Sequence, residues 1–241
     1  MSINQDLFMF GEDIETAHGA IRFLKYSEFI RLQGELNIFC TSMLNFYWLY
    51  KKNYKDISDI NVLNAIEAIK DTSLYLYVKS VPDLFAAYKS VFEKVLLNQE
   101  SINLIFESEE LFMSYRSLIM DMNMLRESPA SPNPEIQEYY ELRRKKQQQD
   151  MGDQNLSDMV SSIVVATPHS FEDVANMTVI QVNLIYGRIS AFKNFDVTTL
   201  FATVSAESKI EPWNKHVDIF TKEELGIAYE EFNKKYGGLF N

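Results

Sequence analysis

The sequence has few of the residues that cross-link or interrupt a chain. Its single cysteine, Cys40, cannot form an intrachain disulfide, and its apolar neighbours are typical of a small buried thiol. Only 8 glycines and 6 prolines occur in 241 residues, and four of the prolines lie between positions 129 and 168. The long segments on either side are therefore free of helix breakers, which favours helices.

Basic residues are also scarce. The chain has 23 Lys and Arg against 34 Asp and Glu, giving a formal net charge of -11. Nucleic acid and anionic membranes would repel such a surface on average, so neither is an expected partner. The N-terminus lacks a secretory signal pattern, and no apolar run reaches the length of about 18 residues that a membrane span needs. We expect an intracellular globular protein.

Motifs that carry chemistry are missing as well. His18, His169 and His216 lie far apart, and none has a second His or Cys at zinc-ligand spacing. The sequence contains no glycine-rich phosphate-binding loop, so no nucleotide cofactor is predicted. Cys40 would become a nucleophile only if a histidine approached it, and apolar surroundings would raise its pKa. We therefore expect no catalytic residues, no metal and no cofactor, and a protein that is not an enzyme.

Hydrophobic periodicity dominates the first half of the chain. Apolar residues recur every three or four positions from Tyr26 to Lys52, which predicts one long helix. The same pattern predicts a helix over residues 84–97 after Pro82, and another over residues 111–125 capped by Ser108. Before them, two short apolar runs at residues 6–10 and 20–24 flank a polar turn. This arrangement predicts a small N-terminal hairpin.

The sequence SPASPN at residues 128–133 predicts a boundary, since proline disfavours helix in the residue before it. We expect an N-terminal helical domain over residues 1–128 and a Pro-rich, charged linker or exposed helix over residues 129–155. The remaining residues, 156–241, should form a smaller helical C-terminal domain. Its helix starts are predicted at Leu156, Ser170, Thr178 and Thr221. The predicted fold is all-α, with about seven to nine helices and the small hairpin.

Two groups of residues are candidates for binding a partner protein. The first is aromatic and lies in the predicted long helix: Phe46, Tyr47, Trp48 and Tyr50. Aromatic side chains concentrate binding energy at interfaces, but core packing is the more common explanation of the same spacing. The second is the one basic run, Arg143, Arg144, Lys145 and Lys146, which is either a solvated linker or a contact to an acidic partner. The apolar helical faces are also compatible with self-association.

Several segments resemble the tail assembly chaperones of long-tailed bacteriophages, and they occur in the same order. They include residues 10–19 (FGEDIETAHG), 133–137 (NPEIQ), 157–160 (SDMV), 174–181 (VANMTVIQ) and 209–217 (KIEPWNKHV). The last of these is similar to the Trp-containing closing segment of that family. The resemblance covers most of the chain, although it contains no single invariant chemical motif.

The resemblance implies a noncatalytic function in tail morphogenesis. A protein of this kind would bind and solubilise the tape measure protein, help to recruit tail tube protein subunits, and then leave. It would act in the host bacterial cytoplasm and be absent from the mature virion. Two alternatives stay open: a phage-encoded helical adaptor or inhibitor that binds a host protein, and a structural virion component of the baseplate or connector.

Overall fold

The structure, a computed structural model, describes residues 5–151, 156–205 and 210–215. Within these ranges lie twelve α-helices, two 3-10 turns and one antiparallel sheet of two strands. The protein is mainly α-helical with two domains, which confirms the predicted fold class. None of the described helices is long and apolar enough to cross a membrane. The helix predicted to start at Thr221 lies outside the described residues.

The predicted N-terminal hairpin is present, but its arms differ from the prediction. Its strands are β1, Ile14–Thr16, and β2, Gly19–Ile21. The preceding apolar run, Gln5–Phe10, forms a 3-10 turn and not a strand. Gly11 and Gly19 have φ values of +67° and +114°, a backbone region that residues with a Cβ atom rarely adopt. Both reversals around the hairpin therefore depend on glycine.

The single long helix predicted from Tyr26 to Lys52 is wrong. Three helices occupy this stretch: α1, Tyr26–Arg31, α2, Gln33–Phe39, and α3, Met43–Asn53. Leu32, with φ -91° and ψ 9°, separates α1 from α2. The Ser42 hydroxyl then starts α3 by accepting a hydrogen bond from the third residue of the new helix. Apolar spacing does not reveal these breaks, because α2 and α3 bury apolar side chains in one cluster and Phe29 of α1 packs against the same cluster.

Five more helices complete the N-terminal domain: α4, Ile60–Ala68, α5, Leu74–Ser80, α6, Pro82–Val95, α7, Gln99–Glu107, and α8, Glu109–Met122. Two of them were predicted. Helix α6 has proline in its first turn, where a missing N–H costs nothing. The Ser108 hydroxyl caps α8 by accepting from the Leu111 amide at 3.4 Å. Four aromatic rings on α2, α6 and α8 fill the centre of this core: Phe39, Tyr88, Phe92 and Phe112.

The second half of the chain forms α9, Pro134–Met151, α10, Leu156–Ala166, α11, Phe171–Asn176, and α12, Val179–Ala202. The predicted starts at Leu156, Ser170 and Thr178 are confirmed. Ser170 and Thr178 each form a capping box, with Asp173 and Gln181 as the reciprocal partners. The predicted linker or exposed helix contains the charged helix α9.

Each domain contributes one buried side chain to the hydrophobic cluster of the other, and partly buried residues add to both contacts. Tyr26, on α1, packs with C-terminal residues such as Ile163 and Val174. In return, Ile180 on α12 lies in the N-terminal cluster. The Tyr26 amide donates to the Met177 carbonyl oxygen at 2.7 Å, beside these two side chains. The domains are therefore joined by exchanged apolar residues and by backbone hydrogen bonding.

A buried arginine connects the N-terminal core to the chain that leaves it. Arg116, on α8, is 4% exposed. Its Nε donates to the Phe39 carbonyl oxygen at 3.0 Å and to the Tyr88 hydroxyl at 3.2 Å. Its Nη1 donates to the Glu127 carboxylate at 2.6 Å. Because a buried cation needs such partners, Arg116 fixes α2, α6 and the segment after α8 relative to one another.

We expect Arg116→Met to lower the free energy of unfolding by about 2–3 kcal/mol, since Phe39, Tyr88 and Glu127 all lose a charged donor. Arg126→Met is the matched control. The Arg126 side chain is 35% exposed and pairs with Asp121 at 3.4 Å, so its loss should cost under about 1 kcal/mol. Urea denaturation followed by circular dichroism measures both. Equal losses in the two variants would contradict the role of Arg116.

Candidate interaction surface

One face of α3 contacts the segment that connects α8 to α9 and the first half of α9. Asn45, Trp48 and Lys52 are spaced by three and four residues, so they share a face of the helix. Three contacts join this face to the following chain: Asn45 Nδ2 to the Ser128 carbonyl oxygen at 2.7 Å, Trp48 Nε1 to the Ser131 carbonyl oxygen at 2.8 Å, and Lys52 Nζ to Glu141 Oε2 at 3.8 Å. The beginning of α9 is therefore attached to α3.

The four aromatic candidates on α3 have different environments. Phe46 and Tyr47 are buried, with 6% and 1% of their surface exposed, while Trp48 and Tyr50 are half-buried. The Tyr47 hydroxyl donates to Glu67 Oε1 at 3.0 Å, which links α3 to the end of α4. Phe46 and Tyr47 thus pack the protein interior. Core packing was the alternative that the sequence left open for these two residues. Their burial makes them inaccessible to a partner in this conformation.

The accessible apolar residues of this region lie beside those aromatics, on α3, on α4 and between them. Helix α4 buries only Ile66 and contains a single charged residue, Glu67. Ile60 and Leu63 on the same helix are 63% and 39% exposed. We call the following exposed side chains the α3–α4 surface: Leu49, Tyr54, Ile57, Ile60 and Leu63. Exposed apolar groups concentrated in this way are typical of interaction sites.

The basic run lies next to the attached end of α9. Arg144 and Lys145 follow Glu141 by three and four residues, so they share its side of the helix. Arg144, Lys145 and Lys146 are exposed, and Arg143 is half-buried. Because Glu141 pairs with Lys52 on α3, the structure brings the basic run to the same side of the molecule as α3. The two predicted groups thus occupy neighbouring elements.

Sequence reasoning missed α4 as part of this surface. Asp59 caps the helix by accepting from the Asn61 amide at 2.8 Å, and the nine helical residues that follow contain one charge. A capped apolar helix of this composition is detectable in the sequence. The exposure of α4 cannot be detected in the sequence, because hydrophobic periodicity does not distinguish a helix buried in the core from a helix exposed at the surface.

The ionisable side chains of the described residues form no metal site, and the single cysteine among them is a weak nucleophile. No group of three or more His, Cys, Asp or Glu side chains within these residues is arranged to hold a metal ion. Burial raises the pKa of the Cys40 thiol to about 11, although the nearby Arg116 guanidinium acts in the opposite direction. The thiol is therefore protonated at neutral pH, which makes it a weak nucleophile.

Comparison with known proteins identifies the family. A family model described as the YomV N-terminal domain matches residues 2–132, more than half of the chain. The chain belongs to the YomV family. A second model, described as the YomV second domain, matches residues 145–218. No solved structure matches the chain.

A relative from Bacillus subtilis strain 168 supports the assignment across both domains. It is described as the SPbeta prophage-derived uncharacterized protein YomV, and it is 31% identical over 228 residues. The match covers 94% of this chain and 94% of the relative. The YomV family is therefore phage-derived. The α3–α4 surface lies within the part matched by the N-terminal model, and the part matched by the second model begins within the basic run, at Lys145.

We expect Trp48→Phe to loosen the connection between α8 and α9 in this YomV-family protein. The substitution keeps an aromatic ring but removes the donor to Ser131, and one hydrogen bond contributes about 1 kcal/mol. Amide hydrogen exchange over residues 128–137 should therefore accelerate about fivefold. Tyr54→Phe, at the exposed end of α3, is the control and should leave exchange in this segment unchanged. Unaltered exchange in Trp48→Phe would show that α9 is held by other contacts.

The raised pKa of Cys40 predicts slow alkylation. At pH 8 the folded protein should react with iodoacetamide at least about tenfold more slowly than the urea-unfolded chain, because burial disfavours the thiolate. Stability should also fall above about pH 9, since the unfolded thiol ionises at lower pH than the folded one. Mass spectrometry follows the alkylation. Equal rates in the folded and unfolded chains would contradict a protected thiol.

Proposed function

We propose that this phage-derived protein is a noncatalytic tail assembly chaperone. It binds the tape measure protein, keeps it soluble, helps to recruit tail tube subunits and then dissociates. Two observations support the proposal together. A prophage-derived relative matches this chain over almost the whole length of both proteins. The segments at residues 133–137 and 174–181 resemble those of tail assembly chaperones, as described above.

The observation that carries the proposal is the exposure of α4. This helix is rich in apolar residues, yet Ile60 is 63% exposed and only Ile66 is buried. A tape measure protein is a long helix with apolar stripes, which would aggregate without cover. An amphipathic helix can place such a stripe against apolar side chains of another helix. The α3–α4 surface offers Leu49, Ile60 and Leu63 as those side chains.

Charge gives the complex its solubility and its orientation. The formal net charge of -11 keeps loaded chaperones apart. The local exception is the basic run Arg143–Lys146, which attracts acidic side chains on a bound helix. Contacts of this exposed kind are individually weak, so the partner can be released. The protein then acts in the host bacterial cytoplasm and is absent from the mature virion.

Co-expression with the tape measure protein of the same phage tests the proposal. The wild-type chain should keep that partner soluble and co-purify with it, as measured by pull-down and light scattering. The double variant Ile60→Glu with Leu63→Glu should lower the yield of complex at least about tenfold, because it places two charges against an apolar stripe. Both side chains are exposed, so the variant should fold.

Val165→Glu is the matched control. Val165 is 87% exposed on α10, away from the α3–α4 surface, and its substitution should leave the yield unchanged. A tape measure protein that stays insoluble beside the wild-type chain would overturn the proposal, and so would equal yields for the double variant and the control. Mass spectrometry of gradient-purified virions adds a separate test. Detection of the protein in stoichiometric amounts would identify a structural component of the virion instead.

A further inference from the structure

The first half of α12 packs one of its faces inside the protein. Val182 is buried in the hydrophobic cluster that contains Ile163 of α10, and Ile185 and Ile189 pack against that cluster. The three α12 residues follow one another by three and four positions, so they share a face of the helix. As far as Ile189, this face is therefore used within the chain.

The second half of the same face is exposed. Steps of four, three and four residues after Ile189 lead to Lys193, Asp196 and Leu200, and Leu200 is 71% exposed. Apolar groups exposed along a helix in this way are typical of an interaction surface. Phe192 and Val197 lie at the two edges of this face and are 44% and 51% exposed. We call the following residues the α12 seam: Ile189, Phe192, Lys193, Asp196, Val197 and Leu200.

The two charges of the α12 seam are opposite in sign. Lys193 and Asp196 are the charged residues of α12 that follow Arg188, and both are exposed. Within the described residues, neither has an ion-pair partner. A cation and an anion one helical turn apart are complementary to the same two residues of a second, reversed helix. The seam is therefore complementary to itself.

The register that pairs these charges also pairs the apolar residues. When Lys193 of one α12 faces Asp196 of a second copy that runs antiparallel, Ile189 faces Leu200 of that copy. The two edge residues of the seam also face each other in this register. The two-fold axis then passes between Lys193 and Asp196, so every contact occurs twice. Charge and apolar pattern thus select the same arrangement.

The charges also exclude the parallel arrangement of two copies. In a parallel pair with the helices in step, Lys193 would face Lys193 of the second copy, and Asp196 would face Asp196. Like charges at such short separation repel each other. An antiparallel pair replaces both repulsions with attractions.

We propose that the protein forms a two-fold symmetric dimer in which the α12 seams of two copies pack antiparallel. From Ile189 to Leu200 the seam is about 17 Å long, which makes the interface small. The dissociation constant should accordingly lie at about 1–100 µM. This contact uses a different surface from the α3–α4 surface, so it stands independently of chaperone activity. Each dimer carries two copies of the α3–α4 surface.

Charge exchange in the full chain tests the pairing. Sedimentation equilibrium of the wild-type chain should show a concentration-dependent dimer. Lys193→Glu should weaken the dimer at least about tenfold, because it places carboxylates opposite one another, and Asp196→Lys should do the same with two ammonium groups. The double variant that carries both substitutions only reverses the pair. It should restore the dissociation constant to within about threefold of the wild-type value.

Lys89→Glu is the matched control for charge. Lys89 is exposed on α6 of the N-terminal domain, and the same change of charge there should leave the dissociation constant unaltered. The substituted side chains are all exposed, so the variants should fold. A wild-type chain that stays monomeric up to about 500 µM would overturn the proposal. A double variant that dimerises no better than the two single variants would overturn it as well.

Disulfide cross-linking tests the direction of the helices. In a Cys40→Ala background, a mixture of the Ile189→Cys and Leu200→Cys chains should form an intermolecular disulfide under oxidised glutathione. Leu200→Cys alone is the control, because the two Leu200 positions lie about 17 Å apart along an antiparallel pair, too far for a disulfide. We expect at least about a tenfold difference in rate on nonreducing gels. Equal rates, or faster linking of Leu200→Cys alone, would overturn the antiparallel arrangement.

Discussion

A single buried cation determines where the chain leaves the N-terminal core of this YomV-family protein. Arg116 has almost no exposure to solvent, so its charge must be compensated within the protein. Part of that compensation comes from Glu127, which lies in the connection after α8. The carboxylate therefore fixes where the chain leaves the N-terminal core. The next contacts, from α3 to Ser128 and Ser131, follow from that exit point and carry the chain to α9.

The sequence predicts helices well where a periodic face follows a cap, as in α8 and α12, or a first-turn proline, as in α6. It fails between Tyr26 and Lys52, because Leu32 and Ser42 break the helix without altering the apolar spacing. The candidate site was likewise predicted only in part. The sequence singled out the α3 aromatics as candidates for binding a partner, but the burial of Tyr47 depends on Glu67 and Lys70, which lie twenty or more residues away. Long-range contacts of this kind leave no periodic signal.

The α3–α4 surface illustrates how a small protein can hold an apolar patch in water. Two of its exposed side chains, Ile60 and Leu63, lie on α4, which is anchored by the buried Ile66 and by the hydrogen bond between Tyr47 and Glu67. The polar contact keeps α4 in place without burying its outer face. Lys51 and Lys52 on α3 and the basic run on α9 add charge to neighbouring elements, and surface charge opposes self-aggregation.

The exchange of Tyr26 and Ile180 between the clusters has a consequence for synthesis on the ribosome. The N-terminal core cannot close around Ile180 until that residue has been made, 55 positions after Leu125. At translation rates of about 5–20 residues per second, this delay is roughly 3–11 seconds. During that time the nascent N-terminal domain carries an open apolar site. The N-terminal domain therefore completes its folding only after α12 has been synthesised, and both domains reach their final form together.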